Sequence, residues 1–182
     1  MSILSKIFTW WDGATIGTML WSSRFGDKVG TDAQGNSYFR SPKLKTTQPA
    51  VHAVSGLPVI DLTITTEGKK HVFRVEVART DEQQAKGLMF RTAMGADEGM
   101  LFPEATPRRP SFWMKNTFIP LDIIYIGTDS RVLNIVNALP YDLTPLPAEG
   151  LAIGVLELNG GRAAQLGIKP GDKVSWKLPA AT

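Results

Sequence analysis

The chain has 182 residues, 43% of them hydrophobic, and a formal net charge of +3, so its apolar residues suffice for one ordinary core and not for two full domains. It contains no cysteine and two histidines, which excludes disulfides and thiolate chemistry and argues against a histidine-based zinc site. The positive excess lies within residues 1–45, which carry six basic and three acidic side chains. This asymmetry predicts a separate N-terminal element and no nucleic-acid-binding domain.

The first 40 residues contain three of the five tryptophans of the chain. Apolar residues from Ile3 to Trp11 recur at helical spacing, which predicts a helix of about three turns, and a glycine-bearing turn at 34–38 separates two short extended pieces. Asp12 interrupts the longest apolar stretch, so neither a transmembrane span nor a signal peptide is predicted. This segment is too short to bury its aromatic residues alone. They therefore pack on the next domain, lie at a membrane surface, or dock on a partner protein. The candidate partner contacts are Trp10, Trp11, Trp21, Arg24 and Tyr38.

Residues 41–58 are rich in proline, serine, threonine and lysine and lack periodicity, which is typical of a linker. The pattern then changes to alternation between apolar and polar residues. Two alternating runs, at 59–64 and 72–77, flank a glycine-bearing turn at 67–70 and predict a β-hairpin.

Short helices and further strands follow the hairpin. Thr80 to Gln83 has capping-box spacing, and Gly87 is placed to end the helix that begins there. A strand at 99–102 precedes a proline-bounded loop at 103–110. We predict four more strands, at 121–126, 132–136, 151–158 and 173–178, and a second short helix at 162–166. The predicted fold of residues 59–178 is mainly β, a sandwich-like or partly open barrel with two short helices, preceded by an extended N-terminal segment.

Six blocks of this β domain, in the same order, resemble the DUF192 family of bacterial domains. The blocks are Gly87–Arg91, Glu98–Phe102, Ser111–Thr117, Ile119–Asp122, Leu156–Gly160 and Leu166–Asp172. The resemblance implies a β-rich, sandwich-like fold that often occurs behind a secretory signal in envelope proteins. It implies no established activity.

The N-terminal 40 residues resemble a different family. The blocks Ile7–Trp11, Lys28–Asp32 and Gly35–Phe39 are similar to the start of the B-seventeen-type accessory subunit of NADH:ubiquinone oxidoreductase, respiratory complex I. The second half of that family is missing here, and the β domain stands in its place. The resemblance implies docking on the peripheral arm of complex I. The protein would then be cytoplasmic, at the inner face of the membrane, with the periplasm as the alternative.

The densest group of candidate binding residues follows the 103–110 loop. Trp113, Lys115 and Asn116 place an aromatic ring, a cation and an amide within four positions, a combination able to form the floor of a ligand pocket. The competing interpretation is that strand alternation turns Phe112 and Met114 to the core and leaves Trp113 and Lys115 in solvent.

Three further candidates are charged residues beside apolar runs: Arg91, Asp122 and Glu157. Such positions are partly buried and need a compensating partner. The functional interpretation is a polar ligand site with shifted pKa values. The structural interpretation is a buried ion pair, such as Arg91 with Glu157.

No motif in the chain carries catalysis. There is no nucleophile elbow around Ser111 and no glycine-rich phosphate loop. Met89, Met94, Met100 and Met114 could offer thioether ligands to copper. Their irregular spacing favours a role as core filler. We therefore predict no catalytic residue, no cofactor and no metal.

Together these patterns predict a non-catalytic accessory or binding protein whose N-terminal segment docks on a larger complex, with complex I as the candidate. The alternative is a small-ligand-binding module, or a weak enzyme, built on Arg91, Trp113, Lys115, Asn116, Asp122 and Glu157 of the β domain. A third interpretation is that the fusion is accidental and only the β domain is functional.

Overall fold

The computed structural model describes residues 27–31, 37–40 and 50–179. The chain forms two compact units, Met1–Thr47 and Gln48–Thr182. In the first unit, β1 (Asp27–Thr31) and β2 (Ser37–Arg40) pair antiparallel, as predicted for the two extended pieces. Tyr38 belongs to β2. The predicted first helix and the contacts Trp10, Trp11, Trp21 and Arg24 lie outside the described residues.

The second unit starts inside the predicted linker. Ala50–Val51 forms β3, which pairs antiparallel with the start of β4 (Pro58–Thr66). Between them the backbone turns back, with the N–H of His52 donating to the Leu57 carbonyl at 2.8 Å. Ala50, Val51 and Pro58, within the predicted linker, are therefore strand residues of the sheet. A strand of two residues is too short to show an alternating pattern, so the sequence pattern does not predict β3.

The remaining strands and helices of the second unit follow closely the predicted order. They are β5 (Lys69–Val77), α1 (Asp81–Lys86), β6 (Glu98–Arg108), β7 (Ser111–Phe112), β8 (Leu121–Gly127), β9 (Val132–Ala138), β10 (Leu146–Pro147), β11 (Ala152–Asn159), α2 (Arg162–Leu166) and β12 (Lys173–Trp176). Among the described residues no helix is long and apolar enough to cross a bilayer.

Seven strands form one curled sheet in the order β12-β4-β5-β6-β11-β8-β9. The β5–β6 pair is parallel, and the other pairs are antiparallel. The two outer strands meet at one end, where Arg131 and Lys173 form a bridge. The fold is thus mainly β with two short helices, as expected from the sequence, and of the two predicted forms, a sandwich-like fold or a partly open barrel, the curled mixed sheet resembles the second.

Two apolar cores lie on opposite faces of this sheet. The inner core takes side chains from all seven strands and from the α2 region, among them Leu62, Phe73, Leu156 and Val174. The outer core lies on β6, β8 and β11, and residues from the segments 88–94, 112–119 and 146–148 pack over it. Met94, Met100 and Met114 are in this outer core, which fits the prediction of methionine as core filler.

Local signals set the ends of α1 as predicted. The Thr80 hydroxyl accepts the backbone N–H of Gln83, and the Gln83 side chain accepts the N–H of Thr80. Gly87 ends the helix with a φ of 46°, a conformation that favours glycine.

The predicted loop at 103–110 is wrong, because β6 continues to Arg108. Pro103 and Pro107 led to the prediction of a loop, since proline usually breaks a sheet. The last residue of β5 pairs with Leu101, so β6 has a strand neighbour on one side only beyond that point. Proline is tolerated at such an edge because no ladder hydrogen bond is lost there.

Candidate functional site

Two buried glutamates share the outer face of the sheet. Glu76 of β5 is opposite Met100 of β6, and Met100 is opposite Glu157 of β11. Side chains at directly paired positions point to the same face, so the two carboxyl groups stand two strands apart, with roughly 10 Å between their Cα atoms. Glu76 is 3% exposed and Glu157 is 5% exposed. Their surroundings differ completely.

Glu76 has three polar neighbours, two of which donate hydrogen bonds to it. The Nη2 of Arg91 lies 2.9 Å from one carboxylate oxygen and 3.1 Å from the other. The Ser55 hydroxyl donates a short hydrogen bond to the same carboxylate, and Nδ1 of His52 is 3.6 Å from it. A carboxylate buried this deeply requires such partners, because an unpaired charge in the interior costs several kcal/mol.

The partners of Glu76 are held by two tight turns. In the first turn, the backbone N–H groups of Val54 and Ser55 approach Nδ1 of His52 at 3.3 and 3.4 Å. In the second, the Arg91 N–H donates to the Leu88 carbonyl at 3.2 Å. The guanidinium Nη1 of Arg91 lies 3.4 Å from Nε2 of His52. Glu76 therefore ties the turn after β3 to the turn after α1.

A groove of about 890 Å³ opens beside this cluster. It runs between the turn at 52–57, helix α1 and the loop at 87–95, and His52, Ser55 and Arg91 all line it. Its volume lies within the range of small-molecule sites. The apolar part of its wall comes from Val54, Leu57, Met89, Phe90 and Met94, and the charged part includes Glu82, Lys86 and Glu98.

Glu157 has no such compensation. Its Oε2 is buried, and no described residue forms a hydrogen bond with it. Burial raises the pKa of Glu157 to about 8, so the group is mainly the neutral acid at pH 7. Burial and, after it, the Glu157 charge raise the pKa of Tyr125, whose hydroxyl donates to the Leu146 carbonyl. Glu157 lies in the outer core and does not line the groove. The pair of Arg91 with Glu157, one of the two sequence interpretations, is not formed.

Asp122 has a structural environment. It is fully buried and accepts hydrogen bonds from the Asn137 side chain at 2.6 Å and from the backbone N–H groups of Gly161 at 2.9 Å and Ala163 at 2.7 Å. These last two donors belong to the start of α2. Asp122 thus satisfies the N-terminal N–H groups of this helix.

Trp113 and Lys115 follow the structural interpretation. Met114 is buried, whereas Trp113 is 53% exposed with the Lys115 ammonium 5.3 Å from its ring centroid. Asn116 contacts the back of the groove wall, because its carbonyl accepts the Phe90 N–H at 2.8 Å and its amide lies 3.9 Å from the Met89 sulfur. Of the six predicted ligand residues, only Arg91 lines the groove. The binding role of the others stays a prediction.

The sequence missed Glu76, His52 and Ser55. Glu76 sits at a polar position of an alternating strand, which normally faces solvent, but the outer face of β5 is covered at its C-terminal end, where Glu76 is buried. His52 and Ser55 fall within the predicted linker. The one available signal was the pairing of a histidine and a serine in a short glycine-bearing turn, and this signal is weak.

Comparison with known proteins gives the family. The DUF192 family, described as an uncharacterized ACR, matches residues 62–176. A protein of unknown function from Novosphingobium aromaticivorans DSM 12444, solved at 1.22 Å, is 61% identical, with a TM-score of 0.69 over 70% of this chain and 92% of its own. A Sinorhizobium meliloti 1021 protein proposed to be a transcription regulator is 35% identical, with a TM-score of 0.64 over 66% of this chain and 95% of its own.

No curated protein matches the chain. The family match does not include residues 1–40, so their resemblance to a complex I subunit stays a prediction. The β domain agrees with the family in sequence over more than half of the chain and in fold with two solved structures. The chain therefore belongs to the DUF192 family.

Proposed function

We propose that the β domain is a binding module that holds a small amphipathic ligand in the groove beside Arg91. The observation that carries this proposal is that His52, Ser55 and Arg91, the partners of the buried Glu76, also form part of the groove wall. Their side chains are fixed before any ligand arrives. Preorganised polar groups in a concave site lower the free-energy cost of binding.

The wall chemistry favours a short peptide or an amino-acid derivative. Arg91 and Lys86 offer donors to a carboxylate, and Glu82 and Glu98 offer acceptors to an ammonium or amide group. Apolar side chains such as Leu57 and Met94 lie between these charges. Nucleic acid is a poorer match, because carboxylates in the groove would repel phosphates.

Binding without catalysis fits the contacts of Ser55 and His52, the two residues of the groove with catalytic side-chain types. The Ser55 hydroxyl donates to Glu76 and accepts the Leu57 N–H at 3.2 Å. Both ring nitrogens of His52 have close neighbours: Nδ1 lies 3.3 and 3.4 Å from the N–H groups of Val54 and Ser55, and Nε2 lies 3.4 Å from the Arg91 guanidinium. Neither group is free to act as a nucleophile or a general base toward a ligand.

A titration of the full chain with a library of unblocked tri- and tetrapeptides tests the proposal. The readout is the change in the amide chemical shifts measured by NMR. The expected shifts lie at 52–57 and 86–95. Lys86→Ala should weaken the binding by about fivefold or more, since an exposed charge contact is lost. Lys70→Ala, an exposed lysine of β5 outside the groove, should leave it unchanged. The proposal fails if no peptide shifts the groove residues, or if both variants behave alike.

The N-terminal segment supports a second candidate function, docking on a larger complex. Its support comes from the sequence alone, which places Trp10, Trp11 and Trp21 in a basic segment. Co-purification with NADH dehydrogenase from membranes tests this candidate and also reports the compartment. Docking that persists after deletion of residues 1–45, or a full chain that never co-purifies, contradicts it.

A further inference from the structure

More than half of the large apolar side chains that the described residues expose come from three loops, at 88–91, 113–118 and 139–143. We call these six residues the aromatic platform: Phe90, Trp113, Phe118, Leu139, Tyr141 and Leu143, between 38% and 67% exposed. Single exposed apolar residues are common, but a contiguous group marks an interaction surface.

The aromatic platform is held rigidly. The ring centroids of Phe90 and Phe118 are 6.0 Å apart in an edge-to-face arrangement, and those of Phe118 and Tyr141 are 5.6 Å apart. Backbone hydrogen bonds join the three loops. The Phe90 N–H donates to the Asn116 carbonyl at 2.8 Å, and the Tyr141 N–H donates to the Thr117 carbonyl at 3.2 Å. Phe118 thus packs against both Phe90 and Tyr141, and these three rings form one surface.

Backbone strain concentrates in the same loops. Phe90 and Tyr141 both have a φ of 64°, and Asn116 has a φ of 53°. The left-handed region costs a typical L residue about 1–2 kcal/mol, and asparagine or glycine occupies it more easily than an aromatic residue. The chain thus places aromatic rings where they lower both stability and solubility. A contact with another molecule would offset these costs.

We propose that the aromatic platform is the interface through which two copies of this chain associate. The six side chains expose roughly 600 Å², close to the ~800 Å² per partner of a standard interface. The six side chains themselves are uncharged. Among the charged residues of the same loops, Lys115 lies over the Trp113 ring, and the Asp142 carboxylate accepts the Thr144 N–H at 2.9 Å. Two such surfaces related by a two-fold axis would bury the six apolar side chains of each copy against those of the other.

Sedimentation of the full chain over a range of concentrations tests this inference. The wild-type chain should dimerise, and the double variant Phe90→Asn with Tyr141→Asn should weaken dimerisation by about 100-fold or more, since two central rings are lost. Asparagine suits the left-handed backbone. At protein concentrations below the dissociation constant of the dimer, the unfolding temperature of the variant should therefore equal or exceed that of the wild type. If the platform only stabilised the fold of the single chain, the unfolding temperature of the variant would be lower than that of the wild type.

Two controls separate the interface from other parts of the molecule. Val72→Thr changes an exposed valine of β5 outside the platform, and Lys86→Ala changes the proposed groove. Both should dimerise like the wild type, so the failure of the peptide groove and the failure of the interface are distinguishable. A wild-type chain that stays monomeric overturns the inference, as does a double variant that still dimerises. If a monomeric wild type sediments with phosphatidylcholine vesicles and the double variant does not, the platform binds a membrane instead.

Discussion

A carboxyl group without a hydrogen-bond partner remains in an apolar core only as the neutral acid. Glu157 is in this situation, whereas Glu76, two strands away on the same face, has Arg91, Ser55 and His52 as partners. The two glutamates thus differ in their surroundings, because only the Glu76 site supplies hydrogen-bond donors, and burial alone raises the pKa of Glu157.

This difference predicts how Glu157 contributes to stability as the pH changes. Its pKa is about 8 in the folded chain against a reference of 4.5, so the folded state binds more protons between these values. The contribution of Glu157 to the free energy of unfolding is fully present below pH 4.5, decreases as the pH rises and is lost above pH 8. The total change in the free energy of unfolding is at most about 5 kcal/mol.

Glu157→Gln removes the titration and keeps the side-chain volume. Urea unfolding of wild type and variant at pH 5, 7 and 9 should give a difference that moves in favour of the variant as the pH rises. Other carboxylates titrate equally in both proteins and cancel. A difference that stays constant between pH 5 and pH 9 would falsify the neutral state of Glu157.

At the scale of secondary-structure elements, β6 leaves no room beside β11 for a side chain at Gly99. A Cβ on this glycine would lie 2.4 Å from the Glu157 carbonyl oxygen and 2.9 Å from a methyl group of Leu158. The first of these contacts is with backbone, so the strands themselves would have to separate. The same strand pair offers a matched control in Gly154, whose Cβ would meet nothing closer than 3.5 Å.

Gly99→Ala should therefore destabilise the domain by about 2–3 kcal/mol, in the range of overpacking in a dense core. Gly154→Ala should change the free energy of unfolding by less than about 1 kcal/mol. Chemical denaturation of the two variants measures both values. Equal values would mean that β6 and β11 are not held at this distance.

The elements differ in how far the sequence predicted them. The β4–β5 hairpin and both helices were predicted because turns, helix caps and strand alternation depend on residues that are close together in the sequence. The length of β6 was missed because its prolines are tolerated only where β6 lacks a strand neighbour on one side. Whether a strand has such a neighbour depends on the tertiary structure and cannot be predicted from nearby residues. Glu76 was missed for the same reason, since alternation does not reveal that the outer face of β5 is covered at its C-terminal end.

At the scale of the whole molecule, the inner core explains why the barrel should behave as one cooperative unit. Each of the seven strands supplies side chains to it, and the bridge between Arg131 and Lys173 joins the two outer strands. Such a core cannot be divided into independently stable halves. The short β3 and its following turn lie at the margin of this unit, and they also provide one wall of the groove.

Two truncations measure whether these marginal residues belong to the domain. Deletion of residues 1–47 leaves the second compact unit intact, so this chain should fold with its native amide spectrum. Deletion of residues 1–58 also removes β3, His52 and Ser55, which leaves Glu76 with Arg91 as its single remaining partner. The lost strand pairing and the lost hydrogen bonds should lower the free energy of unfolding by several kcal/mol. Thermal unfolding followed by circular dichroism compares the two chains. Equal unfolding temperatures would mean that residues 48–58 act as the linker that their composition suggested, and that the groove wall contributes nothing to the fold.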